Sequence, residues 1–480
     1  MNRYRLPLAC LSAVLLACAD PAPLVDRTTP AEAPAFRPKA DTADASAGVI
    51  PPPFDTLGRP ALRPDGFPLW VSNNPEHVAA PGLLLDAAPD APDAVRRPTG
   101  DGAPAARWLD EGGATARTST EQGCSDGGLR RFSLYLAHIL GRSIPAPRRL
   151  AVELVLTDAD ADAAEVVATA RGDVGTSGWS KAGAPATRRT DWLGAVIAKR
   201  SFFGTPPVRT ARLAHGRAAQ LFEIEAGPEH LVEGRLEIRV EGGCARPRVG
   251  VRGGGGVAPF EAGRWAAGDV KWPGWSQGQG YGRAAGLYRA DAVAGEDEVR
   301  FEVPGRTEGR ALLTAGQSVG SLGRLADSAD VLFGNYGVLH RLRFTLSNPT
   351  GTCLDVTASL AAYADRGPGF TASGRVVPRA PTYAYLSATA QAYRPTMIWN
   401  GPVAARLADG PNRLFHPVLF PEATDRDRTA PTTAMDRLHA QLGTLRLEPG
   451  ARATADLEIP IPGYITAPLG VLFSPATCSP

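Results

Sequence analysis

Hydrophobic and polar residues alternate along this chain in short runs broken by glycine and proline. Leu150, Val152, Leu154 and Leu156 alternate with Ala151, Glu153 and Val155, and Leu236, Ile238 and Val240 alternate with Arg235, Glu237, Arg239 and Glu241. A period of two sends successive side chains to opposite faces, so each run predicts a strand with one buried face. Leu342, Phe344 and Leu346 lead into Asn348-Pro349-Thr350-Gly351, after which Leu354, Val356, Ala358 and Leu360 alternate with Asp355, Thr357 and Ser359. That order predicts a hairpin or a connection between two sheets. Leu445 and Leu447 pass through Pro449-Gly450 into Ala453, Ala455, Leu457, Ile459 and Ile461.

Short strands of this kind bury one face each when two sheets stack, which predicts an all-β fold of two tandem antiparallel β-sandwich domains. Arg149-Leu150 through Asp158 lines up with Arg341-Leu342 through Asn348, as an internal repeat requires. The first domain is expected over residues 67–250 and the second over 291–480. Between them, residues 251–290 read as a linker with the glycine run Gly253 to Gly256 and the aromatics Trp265, Trp272, Trp275, Tyr281 and Tyr288. Flat aromatic faces shown together can stack on sugars, so Trp265, Trp272, Trp275 and Tyr281 are ligand-binding candidates. The competing reading packs the same rings into the joint or under a sheet.

Residues 18–66 are rich in Pro, Ala and Asp without an apolar period, which predicts a disordered tether. Such a tether reaches roughly 40 to 150 Å, depending on its extension. Before it, Arg3 and Arg5 precede the apolar run Leu6 to Leu16, which ends in Leu15-Leu16-Ala17-Cys18. Charged, apolar and small residues in that order form an export signal over residues 1–17. The end of the run resembles the bacterial lipobox, which implies cleavage before Cys18 and lipidation of its thiol. The run is shorter than the roughly 20 residues that a membrane-spanning helix needs.

Export changes how the cysteines are read. Cys10 leaves with the signal and Cys18 takes the lipid, so Cys124, Cys244, Cys353 and Cys478 remain, an even set with three pairings. One bridge per domain joins Cys124 with Cys244 and Cys353 with Cys478. Each would close a loop of roughly 120 residues, worth about 4 to 5 kcal/mol in the chain-entropy model. With 53 glycines and 44 prolines the chain is rich in turns, and its net charge of +2 gives no basis for nucleic-acid binding.

Several short motifs carry a further likeness. Trp70-Val71-Ser72-Asn73-Asn74-Pro75-Glu76 followed by Gly82-Leu83-Leu84-Leu85, the strand Phe132 to His138, Tyr281-Gly282-Arg283-Ala284-Ala285-Gly286, and Phe333-Gly334-Asn335-Tyr336-Gly337 ahead of a strand occur in that order. Together they resemble the domain-of-unknown-function 3370 family, secreted β-rich proteins that are largely cyanobacterial. The resemblance runs from about Pro68 to about Ile461, and the segment from Asp86 to Gly123 has no counterpart in it. It implies an envelope or extracellular β-rich protein and carries over no activity, cofactor or catalytic residue. Physically the motifs are turn chemistry, with glycines free to take positive φ and asparagines bonding nearby backbone.

Candidate chemistry is sparse. Gly316-Gln317-Ser318-Val319-Gly320 has the spacing of a nucleophile elbow, but that elbow belongs to a parallel sheet topped by a helix, and the flanking runs alternate as strands do. Asp158, Asp160 and Asp162 alternate along a turn, as ligands of a calcium ion do. An EF-hand is excluded, because Ala163 and Thr169 stand where its glycine and closing glutamate belong. Gly278, Gly280 and Gly282 do not open an apolar helix after a strand, which argues against a dinucleotide site. His138 lies in an apolar run and reads as a core histidine.

The chain therefore reads as a lipoprotein of the cell envelope, anchored at the outer membrane, with a structural, adhesive or binding role. The competing reading is an enzyme or binding module acting on envelope or extracellular polysaccharide. The expected partners are the membrane, through the lipid, and a glycan or envelope protein.

Overall fold

A computed structural model describes residues 60–86, 108–110, 124, 128–160, 165–178, 206–215, 217–256, 259–269, 284–302, 305, 308–312, 319–325, 328, 331–332, 335–362, 369–370, 376–377, 399–400, 402–415, 418–419, 439–461 and 469–479. The fold is all-β, with no α-helix among these residues.

The first twelve strands are β1 (Ala61–Pro64), β2 (Leu69–Ser72), β3 (His77–Val78), β4 (Gly82–Asp86), β5 (Trp108–Asp110), β6 (Arg131–Leu140), β7 (Arg148–Ala159), β8 (Val166–Gly178), β9 (Val208–Leu213), β10 (Ala218–Ala226), β11 (His230–Glu241) and β12 (Gly243–Arg252). Next come β13 (Ala285–Tyr288), β14 (Ala292–Arg300), β15 (Glu308–Leu312), β16 (Val319–Leu325), β17 (Val331–Leu332), β18 (Leu339–Ser347) and β19 (Leu354–Ala362). The rest are β20 (Gly369–Phe370), β21 (Val376–Val377), β22 (Trp399–Asn400), β23 (Val403–Leu407), β24 (Arg413–Phe415), β25 (Val418–Leu419), β26 (His439–Leu447), β27 (Arg452–Pro460) and β28 (Leu469–Thr477).

A central ten-stranded sheet runs in the order β17-β16-β13-β2-β6-β11-β8-β9, with β3 beside β6 and β5 beside β16. A six-stranded sheet has the order β1-β14-β18-β27-β23-β24. Two four-stranded sheets, β10-β7-β12-β4 and β15-β28-β19-β26, and two strand pairs complete the set. Pairing is mainly antiparallel, but β2 and β3 run parallel to β6, and β14 runs parallel to β18.

Strand alternation lets the central sheet serve two cores at once. Trp70, Leu134, Leu136, Ala285 and Leu287 face a core shared with β4, β7, β10 and β12. Their chain neighbours Leu69, Val71, Tyr135, Ala137 and Tyr288 face the other core, built with β14, β18, β19, β23, β26, β27 and β28. Each fully buried aliphatic or aromatic side chain contributes about 1.5 to 3 kcal/mol, so both cores draw substantial stability from one sheet.

This arrangement revises the expected domain plan. The central sheet takes β2, β6, β8, β9 and β11 from the first half and β16 and β17 from the second, so it does not end where residues 67–250 end. The expected linker 251–290 supplies β13, which pairs β2 on one side and β16 on the other. At Gly254, Gly255 and Gly256 an added side chain would meet only open space, so the glycine run is an exposed turn and not a boundary between cores. The expected tether also ends early, because Ala61–Pro64 pairs antiparallel with β14. An edge strand tolerates the flanking prolines and draws on backbone pairing, which leaves no apolar period to read. The strands aligned as a repeat differ as well: β7 pairs antiparallel on both sides, whereas β18 pairs parallel with β14 and antiparallel with β27.

Candidate functional site

The outer face of the six-stranded sheet carries an open groove of about 770 Å³. On β18 and β27 the residues at one parity, Leu342, Phe344, Leu457 and Ile459, enter the core, and those at the other, Arg341, Arg343, Asp456 and Glu458, face outward. Sheet register then sets Glu296 of β14, Arg343 of β18, Asp456 of β27 and Arg406 of β23 in one row across four strands. Charge alternates along that row. A second row sets Ala294, Arg341, Glu458, Ala404 and Leu414 side by side.

Asp456 is the centre of the first row. Its carboxylate accepts a hydrogen bond from Arg343 Nε at 2.7 Å and others from Arg406 Nη2 at 2.5 Å and Nε at 3.2 Å. Partial burial would raise the Asp456 carboxyl, but the bonds from Arg343 and Arg406 outweigh it and hold it below its ordinary range. The same bond to Asp456 raises the Arg343 guanidinium. Arg341 reaches Asp65 at 3.1 Å, and Arg63 lies 3.8 Å from Glu296, so the residues around β1 brace one end of the groove. At the other end Leu414 is 39% exposed, an apolar side chain on the hairpin from β23 to β24. Such half-exposed ion pairs are individually worth about 0 to 1 kcal/mol, which leaves their donors and acceptors open to exchange with a ligand.

The candidates read from the sequence fall elsewhere. Trp265 is half-buried, bridges Leu83 and packs against the core under β4, so it is not an open sugar platform; Trp272, Trp275 and Tyr281 lie outside the described residues. Tyr288 is fully buried. Asp160 gives its two oxygens to Arg130 at 2.6 and 3.2 Å, and that hydrogen bond, more than any other cause, holds its carboxyl low. Asp158 is the penultimate residue of β7, Asp162 lies outside the described residues, and no three candidate ligands gather around a metal position among the described residues. Cys18 and Ser318 also lie outside the described residues, and Val319 begins a strand where an elbow would begin a helix. The four remaining cysteines form the bridges Cys124–Cys244 and Cys353–Cys478.

Two buried polar clusters are structural. His138 Nδ1 meets the Pro75 carbonyl at 2.6 Å, so Nε2 accepts from Ser72 Oγ at 2.9 Å; both side chains are sealed from solvent, which removes Ser72 as a nucleophile. Glu153, expected on a polar face, is buried against Arg252 and beside the backbone N–H of Phe260. Burial raises the Glu153 carboxyl despite the opposing pull of Arg252. The segment around Phe260 covers that face, and alternation alone does not reveal such a cover.

No protein-family model and no curated protein matches the chain. The groove therefore has to be judged on its own chemistry. In the sequence Arg341, Arg343, Arg406 and Asp456 look like any solvated strand face, because they are charged residues alternating with apolar ones. Register, which only the folded sheet supplies, is what lines them up.

Proposed function

We propose that this protein is a lipid-anchored component of the cell envelope that binds polysaccharide, without transforming it, in the groove on the outer face of the six-stranded sheet. The row Glu296–Arg343–Asp456–Arg406 carries this reading: a fixed alternation of acceptors and donors on four paired strands. Side chains on rigid strands suit the recognition of polar ligands, because little ordering remains to be done on binding. The groove volume lies in the range of ordinary ligand sites.

A binding role is favoured over hydrolysis. A glycosidase needs one carboxylic acid with a raised pKa opposite a second carboxylate. Asp456 has the opposite character, being held ionised by two guanidinium groups. The two disulfides mark an oxidising compartment outside the cytoplasm. No helix among the described residues is long and apolar enough to cross a membrane, and the lipobox-like sequence ending at Cys18 supplies the attachment we propose. The outer membrane is the proposed site of anchoring.

Two measurements test this reading. Full-length protein should partition with membranes, and Cys18→Ser should shift it to the soluble fraction or block its processing. Purified protein should co-sediment with insoluble envelope polysaccharide, and the double variant Arg406→Ala/Asp456→Ala should remain in the supernatant. Co-sedimentation unaffected by that variant would remove the groove from the function.

A further inference from the structure

The groove's charge pattern and spacing narrow the class of polysaccharide, an inference that rests on the binding role just proposed. Four guanidinium groups, Arg341, Arg343, Arg406 and Arg413, line the groove with three carboxylates, Glu296, Asp456 and Glu458. Within the row across the four strands, Glu296, Arg343, Asp456 and Arg406, the charges cancel. A polyanion would meet Glu296 and Asp456 in the same row as the arginines it sought, and a polycation would meet Arg343 and Arg406. Vicinal sugar hydroxyls, which donate and accept at once, can bond to a guanidinium and its neighbouring carboxylate together.

Spacing adds an independent constraint. Neighbouring strands lie about 4.8 Å apart, so the four strands under the row span about 14 Å. A chain of linked pyranoses repeats at close to the strand spacing, which lets each ring sit over one strand with its hydroxyls against one charged side chain. The row starts at Glu296 on β14 and ends at Arg406 on β23, one residue per strand. Leu414, exposed on the neighbouring row, offers an apolar surface to a ring's C–H face at that end.

We infer that the groove takes a neutral, hydroxyl-rich oligosaccharide laid across the strands, about four sugars long. Binding of cello- and chito-oligosaccharides of one to six units by the full chain, measured calorimetrically, tests this. Affinity should climb at least about tenfold from one unit to four and then level off, and Asp456→Ala should lower the four-unit affinity by about tenfold, as the loss of a charge-assisted hydrogen bond implies. Arg343→Lys, which keeps charge but loses the fork, should weaken binding while leaving the thermal transition in place. Stronger binding of polygalacturonate than of the neutral series, still sensitive to Asp456→Ala, would overturn the neutral-ligand inference and leave the binding role standing. Affinity already maximal with one sugar would overturn the cross-strand placement. Failure of every carbohydrate to bind would overturn both this inference and the function it rests on.

Discussion

The Arg235 guanidinium donates to the Asp291 carboxylate at 2.7 Å, and the two side chains are 4% and 6% exposed. Arg235 lies on β11, in the first half of the chain, and Asp291 immediately precedes β14, in the second. Asp291 also accepts from Ser133 Oγ at 2.5 Å and from the Phe67 backbone N–H at 2.7 Å, while Arg235 Nε donates to the Gly337 carbonyl at 3.0 Å. Removing one partner from such a buried pair typically costs about 3 to 5 kcal/mol, and the half-exposed Glu237, which Arg235 Nη1 keeps at 2.9 Å, sets the expectation at the lower end of that range. Asp291→Ala should therefore lose about that much stability in urea denaturation. A loss under about 1 kcal/mol would show that the joint is not held by this pair.

The shared sheet makes a second expectation specific. A fragment beginning at Asp291 lacks Leu69, Val71, Tyr135, Ala137 and Tyr288, which close one side of the core around Phe344 and Leu457. It also lacks Arg235 and Ser133, leaving Asp291 without its buried partners. Residues 291–480 expressed alone should aggregate or melt without cooperativity, although they hold both Cys353 and Cys478. A soluble fragment with a single sharp transition and a β-type circular dichroism spectrum would establish that the cores are separable.

The all-β character was legible because alternation in β7, β11, β18 and β27 is a local property, and the turn at Asn348 was legible because asparagine carries its own local bonds: its side-chain oxygen accepts from the Thr350 backbone N–H at 3.1 Å and from Thr350 Oγ1 at 2.6 Å. The sharing of a sheet was not legible. Arg235 and Glu237 look alike in sequence, yet the first is buried and the second exposed, because the far half of the chain covers only part of that face. The groove was hidden for a related reason: Arg406 and Asp456 are fifty residues apart and meet only through the β23–β27 register. The disulfide pairs were legible from counting and from the assumption of one bridge per half, which succeeded although the halves share a sheet.

The bridges should differ in reactivity. Cys124 and Cys244 are buried, whereas Cys353 and Cys478 are partly exposed. Thiol–disulfide exchange requires access of a thiolate to a sulfur, so graded dithiothreitol should open Cys353–Cys478 first. Alkylation with mass mapping reads the order directly. Loss of Cys124–Cys244 should be the more destabilising event as well, within the usual range of about 2 to 5 kcal/mol for a native bridge. Opening of the buried bridge first would mean that this part of the chain is the less stable one.

His340 gives the fold a pH dependence of definite sign. Asn335 Oδ1 accepts from the Val319 backbone N–H at 3.0 Å, so the Asn335 amide nitrogen, 3.3 Å from His340 Nε2, must donate to it. That leaves the proton of the neutral ring on Nδ1, which is buried without a hydrogen-bond partner among the described residues. Burial pushes the His340 pKa down to about 3, while the unfolded ring titrates near 6.5. Between those values the unfolded chain binds a proton that the folded chain refuses, so stability from this site is complete above about 6.5 and falls as the pH drops toward 3. The slope from one such group approaches about 1.4 kcal/mol per pH unit. Comparing wild type with His340→Gln cancels the contribution of the carboxylates, which titrate in both proteins. The stability difference between the two should shift in favour of the variant by close to that slope as the pH is lowered from 6 to 4. A difference that stays constant over this interval would mean that the folded protein accommodates a charged ring at position 340.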